Sequence, residues 1–188
     1  DYYKVNYFDA REYFLEQKEK SHYPLFSKSG SHWSQYGACL VVQEILDRLA
    51  GASKRTLGRI DCEPVTVGYE PRGKDADLLE LTNLWTPSVF KGETPYPTIR
   101  VSADKTTERP NVLFVGDSFV WHLVDVMDAN NMYQHRDFYY YFNRNSTYPN
   151  KSFDPIDKNT LDWEKDVLSH DIIIVEVNET NFSQIGFG

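Results

Sequence analysis

The chain has no Lys/Arg-rich run, only two cysteines and no stretch of 18 apolar residues. Its 20 basic residues are outnumbered by 28 acidic ones, for a formal net charge of -8. Phosphate backbones are bound by basic faces, so nucleic acid is excluded as an expected partner. A neutral substrate is compatible with this balance, whereas an acidic one would need a local basic patch that the sequence does not show. Cys39 and Cys62 make no metal-binding spacing, and no metal or other cofactor is expected. Cys39 lies inside a helical apolar pattern and reads as a buried thiol, with a bridge to Cys62 left open. No segment reads as a transmembrane helix or a signal peptide. The abrupt start at Asp1 reads as a chain cut from a longer, membrane-anchored protein. There is no internal repeat and no low-complexity tract.

What is present suits a folded core. The 188 residues are 40% hydrophobic and 26% charged, as expected of a single domain spanning 1–188. Aromatics reach 15%. They fit an aromatic core first and a sugar-stacking surface second.

Residues 9–20 read as a helix with a basic last turn. A second helix is expected from a Ser34 cap to about Ala50, with Tyr36, Leu40, Ile45 and Leu49 on one face and Gly51 ending it. Residues 61–69 read as extended and 75–84 as a short helix. The proline-rich stretch 85–110 reads as a long connection with one edge strand near Ile99–Val101. Then Asn111-Val112-Leu113-Phe114-Val115 forms a continuous apolar run, followed by Gly116-Asp117-Ser118 and an amphipathic helix to about Asp128. Strands are expected at 138–142 and 172–177, with a helix at 160–168 between them. Unbroken apolar strands alternating with helices predict an α/β fold with a mostly parallel, doubly covered sheet. Ligands in such sheets bind at the carboxyl ends of the strands, where Ser118 and Asn178 both fall.

Ser118 is the candidate nucleophile. A strand-to-helix turn exposes its hydroxyl, and the helix start offers N–H groups to an oxyanion. A serine in that place ordinarily caps the helix, and for an isolated Gly-Asp-Ser the cap is the commoner role. His32, within Ser29-Gly30-Ser31-His32-Trp33-Ser34, is the candidate base, against the plainer role of a histidine packed on Trp33. His122 is held in reserve, though the helix should turn it to a surface face. Asn178 is the candidate second oxyanion donor, with Asn143 and Asn145 as rivals; each also fits a turn. Glu176 and Glu179 read as partners in structural ion pairs. His22, His135 and His170 have no comparable setting.

Gly116-Asp117-Ser118-Phe119 resembles the serine block of SGNH hydrolases. Ser31-His32-Trp33 with Gly37-Ala38 resembles the His-Trp block of the alginate O-acetyltransferase-related SGNH family, in which the histidine block precedes the serine block. Lys74 to Leu79 resembles that family's intervening acidic-leucine segment, and Ile172 to Asn181 its last strand and acidic turn. The resemblance implies a flavodoxin-like three-layer sandwich, here without part of its N-terminus. It implies O-acetylation of an extracellular polysaccharide through an acetyl-Ser118 intermediate. It also implies an extracytoplasmic location at a bacterial cell surface and a membrane-bound, acyl-carrying partner.

One position departs from that family, which has Asp-x-His-Trp and so a Ser-His-Asp triad. The acid's place is taken by Gly30. Three alternatives follow: a Ser-His dyad, a carboxylate from elsewhere (Asp9, Asp75 or Asp77), or a degenerate site. On the dyad alternative, Gly30→Asp should raise activity. Two other functions stay open beside acyl transfer to sugar. One is a carbohydrate acetylesterase acting on acetylated sugars. The other is a catalytically weak polysaccharide-binding module.

Overall fold

A computed structural model describes residues 5–82 and 92–179 of the chain. It divides into two compact units, Asp1–Thr107 and Glu108–Gly188, each described here by itself.

The first unit opens with α1 (Ala10–Lys20). Asp9 caps it by accepting the Glu12 N–H at 3.0 Å, and Lys18 and Lys20 sit in its last turn, where the helix dipole favours cations. α2 spans Gln35–Ser53 and begins where expected, with the Ser34 hydroxyl accepting the Gly37 N–H at 3.1 Å. It does not stop at Gly51 but runs on to Ser53, and Lys54 closes it in the left-handed conformation. A glycine inside a helix costs only about 1 kcal/mol, less than packing supplies. The buried face also differs from expectation. It runs through Ala38, Cys39, Val42 and Leu46, while Leu40, Ile45 and Leu49 are only half-buried.

Two short antiparallel strand pairs follow, one nested in the other along the chain, with a helical segment in the connection between the inner two strands. β1 (Arg59–Asp61) begins ahead of the expected extended segment 61–69 and shares only Asp61 with it, whereas β2 (Val65–Gly68) lies within it. A 3-10 turn (Gly73–Ala76) leads into the short α3 (Asp77–Thr82). β3 (Thr94–Pro97) and β4 (Arg100–Ser102) come from the proline-rich connection. That connection therefore holds two strands where one was expected; its residues 85–91 lie outside the described ones. β2 pairs with β3 and β1 with β4, both antiparallel. Cys39 of α2 and Cys62 beyond β1 form a disulfide, so neither is a free thiol. The core around it includes Phe14, Trp33, Val41 and Ile60.

The second unit is a mixed five-stranded sheet with helical cover. β5 (Asn111–Gly116) is a buried interior strand of the sheet, and α4 (Val120–Ala129) follows. β6 (His135–Tyr140), β7 (Arg144–Tyr148), β8 (Phe153–Pro155) and β9 (Ile172–Val175) complete it in the order β8-β7-β6-β5-β9. β5 pairs in parallel with β6 and β9, but β6–β7 and β7–β8 are antiparallel. Half of the sheet is thus a meander, not the mostly parallel sheet expected. Residues 144–155 are polar apart from Tyr148, Phe153 and two prolines and hold no apolar run, so they carry no strong strand signal.

Strand alternation sorts the side chains between the two faces. Phe138, register partner of Phe114, faces α4, whose Trp121 ring lies 4.8 Å away. Leu113, Val115 and Tyr139 lie on the other face with Val167. Val167 belongs to a single π-helical turn (Trp163–Val167), which stands where a longer helix was expected. Only Ile172 of β9 is buried, so this strand is not apolar on both sides by burial. Across both units, no described helix is long and apolar enough to cross a membrane.

Candidate active site

Ser118 lies just beyond the carboxyl end of β5. Bonds from Val120 N–H to the Asp117 carbonyl and from Trp121 N–H to the Ser118 carbonyl wind this turn into α4. The helix N-cap position belongs to Phe119, whose N–H is taken by Asp117 Oδ1 at 2.9 Å. Ser118 therefore stands one residue ahead of the cap, in the turn whose N–H groups point along the positive end of α4.

Gly116 makes this turn sterically possible. A Cβ there would sit 2.7 Å from Val120 Cγ2 and 2.8 Å from Glu176 Oε2. Glu176, just past β9, sends Oε2 to the Asp117 N–H at 3.0 Å. Burial and the neighbouring Asp117 carboxyl raise its pKa to about 7, against the opposing Asp117 N–H. Its side chain thus accepts a backbone N–H beside the Ser118 turn, where an ion pair was expected.

Asn178 follows two residues after Glu176, half-buried beyond the carboxyl end of β9. Its rival Asn145 is committed elsewhere: Nδ2 donates to Asp137 Oδ1 at 2.7 Å, and Oδ1 accepts the Phe138 N–H at 3.2 Å. Asn143 is exposed in the turn between β6 and β7. The reserve base His122 is buried, at 4% exposure, and not on a surface face as expected.

His32 belongs to the first unit. It lies in the loop closed by an isolated bridge between Phe26 and Trp33, just ahead of α2. Ser34 anchors the segment, donating its N–H to the Leu25 carbonyl and its hydroxyl to that of Pro24, each at 2.9 Å. Trp33 is buried beside Phe14.

The carboxylate facing the imidazole is that of Asp77, 2.9 Å from His32 Nδ1. Ser31 fixes this carboxylate twice, donating its N–H to Oδ1 at 2.8 Å and its hydroxyl to Oδ2 at 2.6 Å. Partial burial works against the Asp77 charge, but the Ser31 bonds and His32 outweigh it, and its pKa falls below the ordinary carboxylate value. An ionised acceptor on Nδ1 assigns the proton to that nitrogen and leaves the lone pair on Nε2, the form a general base needs.

Gly30 now has a structural reason. A Cβ on it would lie 2.9 Å from the Lys74 carbonyl oxygen and 3.2 Å from that of Asp75. The 27–31 and 75–79 segments are laced together, by Ser27 Oγ on the Asp75 carbonyl at 2.7 Å and the Leu78 and Leu79 N–H groups on the Ser29 carbonyl. The missing side chain at position 30 lets the backbone that delivers Asp77 come close. Of the other two candidate acids, Asp9 is the α1 cap. Asp75 is 1% exposed, and burial raises its pKa to about 6.

The structure thus brings His32 together with Asp77 in one unit, and Ser118 into one unit with Glu176 and Asn178. It also gathers His135, Asp137 and His170, to which the sequence alone assigned no role. No local spacing announces that cluster, because its members come from two strand starts 33 residues apart. No protein-family model, no curated protein and no solved structure matches this chain.

Proposed function

We propose that the chain is an SGNH-type serine acyl-transfer domain that O-acetylates an extracellular polysaccharide, with Ser118, His32 and Asp77 as its triad. The observation that carries this reading is the Asp77 carboxylate on His32 Nδ1. It supplies a carboxylate in the place that Gly30 leaves without one, which supports an active enzyme over a weak binding module. The serine turn after a buried interior strand supports the same reading.

In the proposed reaction, His32 Nε2 takes the Ser118 Oγ proton as Oγ attacks an acetyl ester carbonyl. The oxyanion is held by the Ser118 N–H and the Asn178 side-chain amide. His32 then returns the proton to the departing alcohol, leaving acetyl-Ser118. A sugar hydroxyl attacks this ester next, giving its proton to His32, which passes it to Ser118 Oγ as the acetylated sugar leaves. Asp77 orients the imidazole and stabilises its charged form without taking the proton. A membrane-bound partner supplies the acetyl group. The Cys39–Cys62 disulfide supports an extracytoplasmic, oxidising location.

The test is acetyl release from p-nitrophenyl acetate by wild type, Ser118→Ala and His32→Ala, with intact-mass detection of acetyl-Ser118. Both variants should lose turnover, and the adduct should map to Ser118. Wild-type cleavage by Ser118→Ala would sink the proposal. Added oligosaccharide should appear acetylated by mass spectrometry; release to water alone would make the domain an esterase.

A further inference from the structure

Strand β6 points His135, Asp137 and Tyr139 to one face of the sheet. His170 reaches the same place from the turn before β9. That turn is pinned to the start of β5, with Asp171 N–H on the Asn111 carbonyl at 3.0 Å and Asn111 N–H on Asp171 Oδ2 at 2.9 Å. Asp137 Oδ2 lies 3.1 Å from His135 Nε2 and 2.9 Å from His170 Nε2, and one ligand atom from each of the three residues lies within 4.8 Å of the other two. We propose that His135, Asp137 and His170 bind one divalent transition-metal ion of the zinc class, at the amino ends of the strands and away from Ser118.

Donor type and spacing both favour such an ion. Imidazole suits zinc and its neighbours, whereas magnesium and calcium take oxygen ligands. Zinc bonds of about 2.0–2.1 Å in a tetrahedron place ligand atoms about 3.3 Å apart. The two separations from Asp137 Oδ2, 3.1 and 2.9 Å, need to open by only a few tenths of an ångström.

The outer contacts are those of a metal site. The His170 Nδ1 position faces the Val167 carbonyl at 3.0 Å, so that nitrogen carries a proton and Nε2 turns inward. Asn145 occupies Asp137 Oδ1 at 2.7 Å, which directs Oδ2 to the two histidines. Asn145 is itself held by the Phe138 N–H.

Three protein ligands leave a fourth coordination position, and the cluster lines a cavity of about 540 Å³. The cavity wall also carries Asp154, Asp157 and Asp166 against a single cation, Lys165. That excess of carboxylates attracts a cation and raises its local concentration. The arrangement of two histidines, one carboxylate and an open position is also the one used where a metal binds water or a small ligand. This inference does not rest on acyl transfer.

The experiment uses the full chain, stripped with a chelator and titrated with Zn(II), Co(II) or Mg(II) by calorimetry and thermal melting. One zinc should bind per chain and raise the melting temperature, Co(II) should give the visible absorption of a four-coordinate site, and Mg(II) should do neither. His135→Ala should abolish zinc binding while staying folded, since its side chain is partly exposed and the His170–Asp137 contact remains. Asn145→Ala should weaken zinc by about 10–100-fold. His32→Ala should bind as wild type does. Absence of stoichiometric zinc binding, or its survival in folded His135→Ala, would overturn the proposal.

Discussion

Asp77 Oδ2 lies 2.9 Å from His32 Nδ1, brought there from 45 residues further along the chain. The expected position for such an acid, two residues before the histidine, holds Gly30 instead. The two facts are linked, because the bare Cα of Gly30 makes room for the Lys74–Asp75 backbone that carries Asp77 into place.

Asp77→Asn should reduce ester turnover by about 10⁴, the cost of losing the orienting acid in a serine protease. The loss should fall on kcat more than on KM, because Asp77 touches the base and not the substrate. Stopped-flow acylation with an activated acetyl ester reads this directly. An Asp77→Asn enzyme with unimpaired acylation would leave His32 without need of its carboxylate.

Gly30→Asp should not rescue anything, contrary to the dyad expectation. On the proposed reading Asp77 already fills the acid's role, and the new Cβ meets carbonyl oxygens that belong to backbone and cannot swing aside. Overpacking of this kind costs about 1–3 kcal/mol. Denaturant melts should show the loss for Gly30→Ala as well as Gly30→Asp; a Gly30→Asp protein both stable and faster would contradict the packing argument.

Glu176 makes stability depend on pH. Its pKa rises from 4.5 in the unfolded chain to about 7 when folded, chiefly through burial. Between those values the folded state binds more protons than the unfolded, so stability falls as pH rises and levels off above the folded value. Asp75, raised to about 6, adds to the decline at lower pH. Glu176→Gln keeps an oxygen for the Asp117 N–H but cannot ionise. Its melting temperature should therefore fall less than that of wild type between about pH 6 and pH 7. Parallel curves for the two proteins would contradict the burial of that carboxyl.

The disulfide closes a sequence separation of 23 residues. Loop closure of that length restrains the unfolded chain by about 3 kcal/mol. Cys39→Ala/Cys62→Ala should lose roughly that much in urea titration. Alkylation of the denatured, unreduced protein should find no thiol; two alkylated cysteines would show that the bond does not form.

The sequence by itself determined the elements whose signals are local. The apolar run from Asn111 to Val115 could only be a buried strand, and Gly116 had to end it in a turn ahead of an amphipathic helix. Ser34 marked a helix start, because a cap acts within three residues of its own backbone. Ser118 and His32 stood out through their local settings together with the resemblance of their two motifs to SGNH blocks. The tertiary structure alone decided which residues these meet. Asp77 on His32, Cys39 with Cys62, Glu176 under Asp117 and the His135–Asp137–His170 cluster all join segments far apart in sequence, or turn on which side of a strand faces its cover. Side-chain period and caps carry no information on the path between distant segments. Burial decided the rest: it carried α2 through Gly51, and the β7–β8 meander formed where pairing with β6 outweighed a weak local pattern.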